Sequence, residues 1–164
     1  MKKIMFCGGG SAGHVVPNMA LCEQLKDQFN LCYIGTGGIE REICNGRGVE
    51  FFTFDGAKLV RGKILCNLSL PSKIHKSIKQ CEDILQEVKP DLLFCKGGYA
   101  SYPPAAAAAR LGIPVLTHES DVSLGLANRL IARKCRRVLT AFPSTAVKIK
   151  NGVYTGTPLR RELF

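Results

Sequence analysis

The chain has 164 residues, 46% of them hydrophobic, which suffices for one well-packed core and excludes two domains of ordinary size. Lysine and arginine number 23 against 13 acidic residues, and the net charge of +10 points to an anionic partner: nucleic acid, phospholipid headgroups or a phosphorylated substrate. The eight cysteines (7, 22, 32, 44, 66, 81, 95 and 135) show no CxxC pair and sit mostly in apolar runs, so buried reduced thiols are expected rather than a disulfide framework.

Residues 4–7 read as the first buried strand, and Gly8-Gly9-Gly10 breaks the apolar run too soon for a secretory segment. The loop Gly8-Gly9-Gly10-Ser11-Ala12-Gly13-His14 follows, placed so that its amides and the start of the next helix can face an anion. That helix is predicted over 17–29, with Pro17 at its first position and Leu21, Leu25 and Phe29 at four-residue spacing. Strands are predicted at 31–34 and 51–54.

Between Asp55 and Glu82 no acid occurs, while Lys58, Arg61, Lys63, Lys73, Lys76 and Lys79 gather around Ile64, Leu65, Leu68 and Leu70. Such a patch suits an anionic leaflet, at about 1 kcal/mol per basic residue, or is simply a solvated helix face beside core leucines. A helix is predicted over 71–88, with Ile74, Ile78, Cys81, Leu85 and Val88 on one face. Strand 92–95 leads into a second glycine turn, Lys96-Gly97-Gly98-Tyr99-Ala100-Ser101, and the alanine run 105–109 predicts a helix packed closely on the sheet.

Strand 115–117 ends in His118-Glu119-Ser120-Asp121, and Gly125-Leu126-Ala127-Asn128 opens another helix before a last strand at 138–141. A second acid-free stretch, with Arg129, Arg133, Lys134, Arg136 and Arg137, raises solubility or faces another domain. Short apolar runs without polar alternation, separated by helical patterns, predict a Rossmann-like, doubly wound α/β fold with a mainly parallel sheet. In such a sheet ligands bind at the carboxyl ends of the strands.

Gly8, Gly10 and Gly13 satisfy GxGxxG, yet dinucleotide binding also needs an acid ending the second strand, and Tyr33-Ile34-Gly35-Thr36-Gly37 has none. An NAD-dependent oxidoreductase is therefore disfavoured and no cofactor is expected. Two strand-end glycine loops instead suit a diphosphate approached from both sides, with Lys96 adding charge; the bland alternative is two tight turns. His14 is placed to accept a proton from a sugar hydroxyl or to bind phosphate. Glu119 could orient a histidine or act as a base, and Asn128 could bond a sugar or amide. The competing reading of the cluster is helix capping by Ser120, Asp121 or Ser123, which would stabilise by about 1 kcal/mol. His14, His75 and His118 have no metal-ligand spacing. No aromatic-basic interleaving or recognition helix supports nucleic acid.

Four ordered segments carry a resemblance: GGGSAGHVVPNMAL (8–21), KGGYASYPPAAAA (96–108), HESDVSLGLANR (118–129) and YTGTPLRREL (154–163). Together they resemble the N-terminal domain of the MurG family of two-domain inverting glycosyltransferases. The resemblance implies that residues 1–164 form an acceptor-binding half, with the donor-binding half absent from the chain, so that the chain alone transfers no sugar. It implies transfer of N-acetylglucosamine from UDP-N-acetylglucosamine to the muramyl 4-hydroxyl of a lipid-diphosphate-linked peptide. The enzyme would act at the inner face of the bacterial plasma membrane, held peripherally by Arg61, Lys63, Ile64, Leu65, Leu68, Lys73, Lys76 and Lys79.

Carried over by position, Gly9, Gly10, Ser11 and Gly13, with Lys96, Gly97, Gly98 and Tyr99, would hold the acceptor diphosphate. His14, then Glu119, are the candidates for the base, and His118, Asp121 and Asn128 would contact substrate. Ser120 and Asp121 depart from the glutamine and asparagine that many members carry. From another class, the alternative is a non-catalytic acceptor-binding or membrane-recruiting subunit of a split glycosyltransferase.

Overall fold

The computed structural model describes residues 1–57 and 68–158 of the chain. Seven strands, β1 (Lys3–Cys7), β2 (Asn30–Gly35), β3 (Glu50–Thr53), β4 (Leu92–Cys95), β5 (Val115–Glu119), β6 (Arg137–Thr140) and β7 (Gly152–Tyr154), form one sheet in the order β3-β2-β1-β4-β5-β6-β7. Every neighbouring pair is parallel, and Cys7 of β1 lies opposite both Ile34 of β2 and Cys95 of β4. The strands are connected by α1 (Ala12–Leu25), α2 (Ile39–Asn45), α3 (Leu70–Val88), α4 (Tyr102–Arg110), α5 (Leu126–Ile131) and α6 (Pro143–Ala146).

Successive strand residues point to opposite faces, and both faces are covered. Ile4, Phe6, Tyr33 and Phe94 pack with Val15, Met19 and Cys22 of α1 and Cys44 of α2. On the other face Met5, Cys7, Ile34, Leu93 and Cys95 pack with Ile78, Cys81 and Leu85 of α3, the alanines of α4 and Ile131 of α5. Each fully buried Ile or Leu of α3 contributes about 1.5–3 kcal/mol. Ala105, Ala106, Ala107 and Ala108 are all buried, and their small side chains let α4 lie close against α3 and the sheet, as the alanine run predicts.

The doubly wound parallel sheet expected from the sequence is the observed fold. The first helix is a correction: it starts at Ala12 and encloses Pro17, which costs one internal hydrogen bond. The start is set by the loop, because Ser11 is still extended (φ −162°, ψ 156°) and the chain enters the helix right after it. Strand β5 runs two residues beyond its predicted end, which puts His118 and Glu119 on a rigid strand rather than a loop. The α2, α6 and β7 elements carried no readable pattern; β7 is a three-residue edge strand with Val153 and Tyr154 exposed.

Seven cysteines are free and buried, and burial pushes the Cys22, Cys32 and Cys44 thiols up to about 12; Cys66 lies outside the described residues. Among the described residues no helix is long and apolar enough to cross a membrane.

Candidate functional site

The chain winds one way from β1 to β3 and the other way from β4 to β7, so the crevice at the carboxyl ends of β1 and β4 is the topological switch point. Both glycine loops are there. The first is anchored from below by Asn18, fully buried one helical turn beyond His14, whose Nδ2 donates to the Cys7 carbonyl and the Tyr33 hydroxyl, each at 3.1 Å. The Tyr33 hydroxyl in turn donates to the Gly8 carbonyl at 2.6 Å. Neither Asn18 nor Tyr33 was a sequence candidate. The available signal was an asparagine inside the apolar face of α1, a position that tolerates an amide only when it is bonded.

The second loop interlocks with the first. A Cβ built on Gly98 would lie 2.4 Å from the Gly9 carbonyl oxygen, 3.0 Å from His14 Cδ2 and 3.3 Å from His14 Nε2. A Cβ on Gly10 would meet the Tyr99 ring at 2.7 Å. Ser101 Oγ donates to the Gly97 carbonyl at 2.6 Å and fixes the turn. No side chain caps α1, and Gly10, Ser11 and Gly13 are exposed. Among the described residues, amides at the mouth of the crevice therefore have no side-chain partner at the start of a 14-residue helix.

Gly98 has φ 77° and ψ 164°, a region essentially restricted to glycine. Gly98→Ala is expected to cost about 2 kcal/mol and lower Tm by roughly 4–8 °C. Gly37→Ala is the control: its φ is also positive (91°), so alanine is strained there too, but nothing lies within 4 Å of an added Cβ and its loss should be smaller, about 1 kcal/mol. Equal losses in the two variants, read by thermal denaturation, would mean that the loops do not interlock.

The third cluster is built on β5. Glu119 accepts from the Asp121 amide through Oε1 (3.0 Å), and from the Gly125 amide and Asn128 Nδ2 through Oε2 (both 3.0 Å). Asn128 is also committed at its other end, accepting from Thr117 Oγ1 at 2.7 Å, and its Nδ2 reaches the His118 carbonyl at 3.2 Å. A Cβ on Gly97 would lie 3.0 Å from that same Nδ2, so Asn128 supports the second glycine loop from beneath. Gly125 is the N-cap of α5 and, among the described residues, no side chain caps the helix, so the capping expected of Ser120, Asp121 or Ser123 is not seen; Glu119 instead holds the loop that leads into α5 through the Gly125 amide.

Lys96 is only 2% exposed and its Nζ donates to Ser120 Oγ. Among the described residues no carboxylate lies within ion-pairing distance of it. Burial lowers the Lys96 ammonium below its ordinary range, against the pull of Glu119 and Asp121. Burial also lowers His14, and the Lys96 ammonium pushes the same way, while the Lys96 carbonyl, Glu119 and Asp121 oppose. Beyond the end of β2 lies Glu40, on α2: it is 2% exposed, accepts from Thr36 Oγ1 at 2.8 Å, and would lie 2.5 Å from a Cβ on Gly9.

His118 is buried, its Nε2 lies 2.8 Å from the Gly156 carbonyl, and its Nδ1 has no partner among the described residues. Burial is the main cause that lowers its pKa. For His14 and His118 alike, the unfolded chain takes up a proton near 6.5 before the folded one does, so stability is full above about pH 6.5 and falls below it. Tm is expected to drop between pH 7 and pH 5.5, and His118→Phe to flatten that slope; an unchanged slope would show that His118 takes the proton without cost.

The fold thus brings His14, Gly9, Gly10, Lys96, Gly97, Gly98 and Tyr99 together, with His118, Glu119, Asp121 and Asn128 alongside at the end of β5. Arg61, Lys63, Ile64 and Leu65 lie outside the described residues, Lys73, Lys76 and Lys79 are exposed on α3, and Leu68 is 72% exposed. Lys76 pairs with Asp55 at 2.9 Å.

Residues 4–140 match the glycosyltransferase family 28 N-terminal domain. A UDP-N-acetylglucosamine--N-acetylmuramyl-(pentapeptide) pyrophosphoryl-undecaprenol N-acetylglucosamine transferase of Clostridium botulinum (strain Langeland) is 46% identical over 167 residues, covering 99% of this chain and 47% of the relative. Its namesake in Clostridium novyi (strain NT) is 44% identical over 166 residues, covering 99% and 46%. The chain spans about half the length of the curated relatives it matches. Among solved structures, Acinetobacter baumannii MurG superposes with a TM-score of 0.84 at 30% identity, over 98% of this chain and 47% of that one. The S. aureus MnaA–UDP co-structure has a TM-score of 0.74 over 96% of this chain and 46% of that one; at 16% identity it is a likeness of fold alone.

Proposed function

The chain belongs to the glycosyltransferase family 28 N-terminal domain family, and from that membership we propose that it is the acceptor-binding half of an inverting N-acetylglucosaminyltransferase of peptidoglycan synthesis. The observation that carries the reading is the interlock of two glycine loops at the switch point, with a buried cation, Lys96, and an imidazole, His14, beside them. Free amides, a helix N-terminus and an ammonium converging on one crevice suit a diphosphate, the group that links the muramyl peptide to its lipid.

In the reaction the muramyl 4-hydroxyl oxygen attacks the anomeric carbon of UDP-N-acetylglucosamine. The new C–O bond forms on the face opposite the departing diphosphate, UDP leaves with the electron pair of the broken bond, and His14 takes the hydroxyl proton. His14 suits this role because burial and Lys96 favour its neutral form. Glu119 and Asn128 are positioning residues, since their polar atoms hold the loop 120–125 and the second glycine loop. Contacts to the leaving UDP would come from a donor-binding half. The exposed lysines of α3 and Leu68 are the part of the expected membrane-facing patch within the described residues, and their exposure supports a peripheral position on the inner face of the plasma membrane.

An amide chemical-shift titration tests the reading. A water-soluble acceptor analogue carrying the diphosphate should shift residues 8–14 and 97–101. A response only to UDP-N-acetylglucosamine would reverse the assignment of the halves. Vesicles with anionic lipid should broaden the α3 resonances more than zwitterionic ones; equal effects would remove the membrane assignment.

A further inference from the structure

A buried ammonium with one neutral hydrogen-bond partner is expensive unless something else uses its charge. Lys96 has Ser120 Oγ and no carboxylate within ion-pairing distance among the described residues, so donors remain on its Nζ. Its backbone is locked into the site: the Lys96 amide donates to the Cys7 carbonyl at 2.8 Å, and its Cβ would lie 3.1 Å from a Cβ on Gly8. That same Gly8 position is 3.0 Å from the His14 carbonyl oxygen, and Gly98, two residues after Lys96, abuts the His14 ring. Lysine and histidine therefore share the wall of one crevice, on either side of the first glycine loop.

We propose that Lys96 is an electrostatic positioning residue that couples the diphosphate to the base: its ammonium, with donors to spare, sets the charge that His14 meets across the first glycine loop in the empty domain, and a bound diphosphate takes that charge up. This deepens the acceptor-diphosphate reading and rests on it. Burial acts most on His14; the charged groups that act on it are Lys96 from the end of β4 and Glu119 and Asp121 from the end of β5, with Lys96 the largest charge effect among them. Both carboxylates favour the imidazolium, so without Lys96 the empty site would protonate His14 more readily. A diphosphate on Lys96 neutralises the one opposing charge and adds negative charge beside the ring, which makes His14 a stronger base when the hydroxyl to be deprotonated is in place.

The test follows the His14 imidazole resonances against pH in the 164-residue chain, assigned by their loss in His14→Gln, with and without inorganic pyrophosphate. In the free protein Lys96→Met should titrate at higher pH than the parent, and Lys96→Arg, which keeps the charge, should titrate close to the parent. Pyrophosphate should move the parent's midpoint upward and move that of Lys96→Met less. If Lys96→Met loses its amide dispersion, Lys96→Gln supplies the neutral variant.

Identical midpoints for the parent and the neutral variant without ligand would overturn the coupling whatever pyrophosphate does. A difference there, combined with pyrophosphate that shifts the amides of 8–14 and 97–101 but leaves the His14 midpoint unmoved, would overturn the uptake step. Pyrophosphate that shifts no amide in either loop counts against the diphosphate reading itself, and the ligand-free comparison still decides whether Lys96 controls His14.

Discussion

His14→Ala, introduced into a transfer-competent enzyme that contains this domain and a donor-binding half, should lower kcat by about 10²–10⁴-fold, the usual contribution of a positioned general base. Stability should barely change, because the ring is half-buried at the crevice wall and its removal uncovers the Gly98 backbone rather than the core. A change within about 1 kcal/mol corresponds to about 2–4 °C in Tm. If, as proposed, the imidazole acts on the reacting hydroxyl while the glycine loops and Lys96 hold the diphosphate, the KM for the acceptor should rise far less than kcat falls. Steady-state kinetics and thermal denaturation on one preparation give both readouts. Turnover unaffected by the substitution would remove His14 from proton transfer.

Glu119→Ala should behave in the opposite way. The substitution strips acceptors from the Asp121 amide, the Gly125 amide and Asn128 Nδ2 at once. The Asp121 and Gly125 amides are near enough to solvent to hydrate and buried Asn128 Nδ2 keeps only the His118 carbonyl, so the cost is about 2 kcal/mol, which lowers Tm by roughly 4–8 °C. The loss should spread to the second glycine loop, because Asn128 supports Gly97. Glu119→Gln keeps one carbonyl acceptor and should lose less stability. A different pattern, with Glu119→Gln as stable as the parent yet as inactive as His14→Ala, would return Glu119 to the role of base.

These contrasting predictions for two residues of one cluster show where sequence reading stopped. Both His14 and Glu119 are legible as polar residues at strand ends of a doubly wound sheet. Their roles are not, because a role depends on which atoms are left over after hydrogen bonding. Glu119 has its oxygens occupied, whereas the side chain of His14 faces the second loop. The sequence offers Asn128 as a partner for a sugar or an amide, and only the structure shows that Thr117, His118 and Glu119 hold its side chain. Asn18 and Tyr33 were missed because their bonds reach partners 11 to 25 residues away, Cys7, Gly8 and each other.

Strand runs, the α3 face and the glycine turns come from local patterning: buried parallel strands need unbroken apolar runs, and tight strand-to-helix turns need glycine. The sequence by itself therefore determined the doubly wound α/β class, the loops that line the crevice and the resemblance that indicates the reaction. The order β3-β2-β1-β4-β5-β6-β7 and everything that follows from it belong to the tertiary structure. Only when β1 and β4 lie side by side does Gly98 press on Gly9 and His14, and only when β5 joins β4 does Lys96 meet Ser120. Periodicity specifies which face of an element is buried, whereas contacts across the sheet depend on which strands become neighbours, and that is settled by packing of the whole chain.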